Sequence, residues 1–124
     1  MSVSFDIRVH ANYVELECSG TYTHEAALQL YSQAFEIAMR ETRAAVLVDV
    51  RQVTGDPPTL TDLFDQGVHV ASLGSGSGAR IRFAHLADAR MTHPQRFGEV
   101  VARSHGALIR VFLDRDEAIA WISS

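Results

Sequence analysis

Lysine is absent from this chain, and all eleven of its basic residues are arginine. That excludes a P-loop ammonium for phosphates, a Schiff-base nucleophile and an anchor for pyridoxal phosphate. Cysteine occurs once, at Cys18, which excludes an intrachain disulfide, a CxxC redox pair and any multi-cysteine zinc or iron–sulfur site. Basic runs are missing too. Fifteen acidic residues outnumber the arginines and leave a formal charge of −4, so no nucleic-acid partner is expected, because phosphate affinity comes largely from clustered cations. No stretch approaches the roughly 18 consecutive apolar residues of a membrane span. The opening MSVSFDIRV alternates apolar and polar residues, unlike the basic and then apolar regions of a signal peptide. With an unpaired cysteine, the expected compartment is the cytoplasm.

What is present suits one domain spanning residues 1–124, with 47% apolar composition for a core. Val3, Phe5, Ile7 and Val9 alternate with polar residues, and so do Val14, Leu16 and Cys18 beyond the turn at 10–12. Such period-2 patterns predict an antiparallel hairpin with one wet face carrying Glu15 and Glu17. Cys18 falls on the apolar phase and reads as a small core residue. Thr23 caps a first helix, with Glu25 at its positive end and Ala27, Leu30, Tyr31 and Ala34 striping one side. The unbroken run 44–50 predicts a strand buried on both faces, and 51–58 reads as a loop. Thr59 with Asp62 forms a capping-box variant opening a second helix through Leu73. A strand over 80–86 follows, then a third helix opened by a Thr92–Gln95 capping box and closed at Gly106. A strand over 108–113 and a last helix capped by Asp114 with Glu117 complete the order β-β-α-β-α-β-α-β-α. That order predicts an α/β fold with a five-stranded, mostly parallel mixed sheet whose first strand is an antiparallel edge.

The order resembles the STAS domain, the fold of bacterial anti-sigma-factor antagonists, and more closely the STAS/SEC14-like group of small bacterial proteins. AAVLVDVRQVTG at 44–55, FGEVVARSHGALIRVFLD at 97–114 and DEAIAWI at 116–122 carry the resemblance. It implies a regulatory domain in which a kinase phosphorylates a serine at the start of the second helix. Counted from Asp49, that position falls on Pro58, which has no hydroxyl. Thr59 and Thr61 are the nearest hydroxyls, and phosphate there would meet free backbone N–H groups and a favourable dipole. A plain N-cap is the simpler role for Thr59.

Other chemistry is thin. The run at 74–79 matches GxGxxA, but a helix precedes it and a strand follows, the reverse of a dinucleotide site, so it reads as a flexible turn. His24 opens HEAAL without the second histidine of HExxH. Parallel topology could gather His24, Asp49, His85, Asp88 and His93 on one polar edge, although no spacing requires it. His69 and His105 read as helix-surface residues. No GxSxG elbow occurs. Neither a metal nor a cofactor is expected.

The second helix is apolar round much of its circumference, which predicts burial on two sides: either the domain covers both, or one side meets a second chain. The expected function is therefore a non-catalytic regulatory or interaction domain. It would dock through Arg51, Thr54, Asp56, Thr59, Thr61, Phe64 and Val68, either with another regulatory protein or as a homodimer. An alternative is a carrier of a small apolar ligand or lipid, held behind a second helix made movable by Gly67 and the glycine turn, with Leu63, Phe64 and Val68 lining the pocket. A third is a small enzyme using the His24, Asp49, His85 and His93 edge.

Overall fold

The computed structural model describes residues 3–74 and 80–123. The elements follow the expected order. They are β1 (Val3–Val9), β2 (Val14–Thr21), α1 (His24–Arg40), β3 (Ala45–Thr54), α2 (Leu60–Leu73), β4 (Arg82–Leu86), α3 (Phe97–Ser104), β5 (Leu108–Phe112) and α4 (Arg115–Ser123), with a short 3-10 turn at Ala89–Met91. Residues 75–79 of the glycine-rich turn lie outside the described residues.

The sheet runs β1-β2-β3-β4-β5, antiparallel only between β1 and β2. Three successive right-handed crossovers stepping in one direction place their helices on one face. A core of Val14, Leu16, Cys18, Val46, Val48 and Phe83 accordingly packs under α1, α2 and α3. The opposite face is left to α4, whose Ala118 and Ile122 close over Ala45, Leu47, Ala84 and Leu86. Burying each such aliphatic side chain contributes about 1.5–3 kcal/mol.

The caps at Thr23, Thr59 and Asp114 form as the sequence indicates: each side chain accepts a backbone N–H from the first turn, from Ala26, Asp62 and Glu117 respectively. Four local expectations are corrected. β3 does not stop at Val50; it continues to Thr54, paired with Thr21 of β2, so Arg51 and Thr54 stand on a strand. β4 begins at Arg82 instead of Arg80. The third helix does not start at Thr92, whose hydroxyl donates to the Asp88 carbonyl and closes the 3-10 turn. It starts after Arg96, which sits at φ 54 with no side-chain cap. Lastly, Ile7 and Val9 on the edge strand are exposed, because α1 reaches only as far as Val3 and Phe5 there.

The outer border of β5 is closed by α3. The Val111 N–H donates to Glu99 Oε1 at 2.6 Å, and the Val111 carbonyl accepts from Arg96 Nη1 at 2.8 Å.

Candidate functional site

The residues expected to dock a partner divide between committed and open. Arg51 donates from Nε and Nη2 to the two carboxylate oxygens of Asp49, at 3.0 and 2.9 Å. This bidentate bond raises the guanidinium pKa further, and it ties Arg51 to its own strand. Thr54 donates to the Gly20 carbonyl at 3.2 Å, stitching β3 to β2. Asp56, Thr59 and Thr61 are exposed around the entry to α2. One turn on, Leu60 and Phe64 are 56% and 47% exposed and share a helix face by their spacing of four. The Phe64 ring stands edge-on to His105, the residue that follows α3, with centroids 6.4 Å apart. Val68 is half-buried.

The second side of α2, expected to be covered either by the domain or by a second chain, is largely filled by α3. Gly67 is buried, and a Cβ there would lie 2.8 Å from Val101 Cγ1 and 2.9 Å from the Ala102 nitrogen. Gly67 therefore serves close helix–helix approach. The expectation that it loosens α2 is corrected.

The five residues of the expected polar edge occupy separate settings. Asp49 shares the α4 face with Leu47, whereas His85 shares the opposite face with Phe83 and meets Tyr31 of α1. The sheet lies between them. His24 sits at the start of α1 beside α2, 3.8 Å from Asp62 and 3.6 Å from Asp65, and its Nδ1 is 3.2 Å from Gln66 Nε2. Asp88 accepts the Arg90 N–H at 3.0 Å. His93 Nδ1 accepts the Gln95 N–H at 3.1 Å. Among the described residues, no group of three or more His, Cys, Asp or Glu is placed to hold a metal ion.

Two further features complete the site, the first unseen in the sequence and the second expected there with a partly different wall. The first is an ion cluster under α4. Glu15, 1% exposed, accepts both Arg115 Nη groups at 2.8 and 3.0 Å and lies 2.9 Å from His10 Nε2. Arg8 stands 3.6 Å away. Arg115, followed by His10, holds the Glu15 carboxyl below its ordinary pKa against the opposing effect of burial. The alternation had assigned Glu15 to water. Its burial follows from β2 being an interior strand with α4 returning over it, a placement the acid at 15 and the arginine at 115 disclose only once paired.

The second is a cavity of about 120 Å³ between the sheet, α1, α2 and α3. Leu63 lines it, as expected; Phe64 and Val68 lie outside its wall. Besides Glu99, whose Oε1 accepts the Val111 N–H, it has two polar points. At one, Tyr31 Oη is hydrogen-bonded to His85 Nδ1. Burial pushes the Tyr31 hydroxyl pKa up and the His85 imidazole pKa down to about 4, so both are neutral near pH 7. At the other, Tyr22 Oη donates to Asp62 at 3.1 Å and accepts from Gln66 at 2.7 Å, with burial raising the phenol to about 12.

Neither a family model nor a curated protein matches the sequence. Solved structures do match. An anti-sigma factor antagonist from Mycobacterium paratuberculosis superposes with a TM-score of 0.63 at 15% identity, over 99% of this chain and 96% of that one. An uncharacterised protein with a SpoIIAA-like fold from Shewanella loihica gives 0.53 at 19% identity, over 98% of this chain and 93% of that one. Among the described residues no helix is long and apolar enough to cross a membrane. With its five strands in the order β1-β2-β3-β4-β5 and four α-helices, the chain has the STAS-like, SpoIIAA-like fold seen in an anti-sigma factor antagonist.

Proposed function

We propose that the chain is a non-catalytic regulatory module that docks another regulatory protein through the first two turns of α2 and the loop entering them. The observation that carries this reading is the exposed Leu60–Phe64 pair beside the Thr59 cap. Asp65, 52% exposed, and the exposed Asp56 flank it. The partner that fits is a protein with an apolar pocket rimmed by arginine or lysine. The fold of an anti-sigma factor antagonist supports the reading, as do the intrachain bonds that occupy the polar side chains an enzyme would need free. The test compares capture of partners by the native chain, by Leu60→Asp/Phe64→Asp and by Asp6→Arg on the far edge strand. A partner lost with the double variant and kept by the edge variant supports the docking face. One indifferent to Leu60 and Phe64 overturns it. Sedimentation of the same proteins detects self-association, and a homodimer dissolved by the double variant would replace the foreign partner with a second copy.

A second reading, binding of a small apolar ligand between the sheet and α2, is favoured by the cavity there.

A further inference from the structure

Resting on that second reading, we propose that the cavity takes a small uncharged molecule, one apolar ring or short branched chain bearing a single hydrogen-bond acceptor, and that His85 Nε2–H receives the acceptor. Size sets the scale: the cavity of about 120 Å³ is close to the roughly 150 Å³ that suffices for benzene in an apolar interior.

The chemistry follows from the tautomer. Tyr31 is 5% exposed, and among the described residues the partner of its hydroxyl is His85 Nδ1. A buried phenol that keeps its proton must donate it. Tyr31 therefore donates to Nδ1, and the ring's own proton resides on Nε2. No bond to Nε2 occurs among the described residues, while His85 lines the cavity. An imidazole so placed offers one donor inside a wall that includes Leu30, Leu63, Val70 and Ala102. A carboxylate would lose its water for that single neutral donor and would face the Glu99 carboxylate of the wall; an ammonium would meet a donor of its own kind at His85, and Glu99 is already engaged by the Val111 N–H and by Arg103. A ketone, ester or ether oxygen on an apolar body loses little water and gains the bond.

The test titrates the full chain with cyclohexanone and, separately, with methylcyclohexane, which has a similar shape and no acceptor. Binding is read from the amide shifts of Leu63, Gly98 and Ala102 and from the His85 ring nitrogens. Saturable binding of both, with cyclohexanone about tenfold tighter, is expected. That advantage should vanish in Tyr31→Phe/His85→Phe, which leaves an aromatic ring at each position and removes both polar ends. Equal affinities for the two probes would overturn the acceptor preference and leave the apolar-ligand reading standing. No saturable shift with either would overturn both, the cavity then holding solvent. An advantage that survives in the double variant would overturn the part given to His85. Should that variant not fold, the native chain still decides: ring correlations placing the His85 proton on Nδ1 overturn the proposal.

Discussion

Arg115, the first residue of α4, closes two Nη–H···O bonds on Glu15 of β2 across one hundred positions of chain. The pair is asymmetric, since the carboxylate is almost fully buried and the guanidinium side chain is 36% exposed. Removing Arg115 leaves a buried anion beside the His10 imidazole and the more distant Arg8.

Arg115→Ala should therefore destabilise the fold by about 2–3 kcal/mol, below the 3–5 typical of fully buried pairs because one partner touches water. Glu15→Leu/Arg115→Met, apolar on both sides, should recover most of that loss. Urea midpoints of the three proteins measure it, and a double variant less stable than Arg115→Ala would contradict the assignment.

Stability should decline on acidification in two stages. His85 is a base with its folded pKa lowered from 6.5 to about 4, so its contribution is complete above pH 6.5 and is lost as pH falls through 4. That interval is worth roughly 2–4 kcal/mol by proton linkage. Glu15, an acid held below its ordinary 4.5, contributes above that value and loses its contribution as pH falls further. Urea unfolding between pH 7 and pH 4 should show the first stage in the native chain and lack it in Tyr31→Phe/His85→Phe.

Gly67→Ala should destabilise despite alanine's better helix propensity. The gain of about 1 kcal/mol in the helix is opposed by overpacking against α3 worth about 1–3 kcal/mol. The nearest backbone atom, the Ala102 nitrogen, cannot swing aside. Combining the change with Val101→Ala should relieve the side-chain clash alone, so thermal melting should return only part of the lost stability.

Cys18 should be inert in the native state. It is 1% exposed, and burial pushes its thiol up to about 12. A disulfide reagent at pH 8 should label it at least about a thousandfold more slowly than a free thiol, at a rate tracking unfolding. Prompt labelling would contradict its place under α1.

The architecture was legible because its signals are local. Alternation in β1 and β2, the apolar run at 44–50 and three caps with oxygen side chains each depend on neighbours within a few residues. What stayed hidden was tertiary. Extension of β3 to Thr54 needs β2 alongside, since Arg51 and Gln52 are polar and look like loop. The left-handed Arg96 carries no sequence mark. Burial of Glu15 depends on a helix that begins a hundred residues later. The candidate site divides in the same way. Phe64 follows from helical spacing and was expected on the docking face, Leu60 beside it was not, and the Tyr31–His85 bond joins two residues whose separation in the chain carries no periodicity.

Val111 bears on how copies of this chain can associate. An edge strand offers its outward amide and carbonyl as a template for another strand. At the β5 border both groups are already engaged by α3, through Glu99 and Arg96. Strand-by-strand growth into a continuous intermolecular sheet is therefore opposed at Val111, which leaves β1 as the other margin. A filament made by stacking β5 against β1 of the next molecule would first have to strip away the Glu99 and Arg96 side chains.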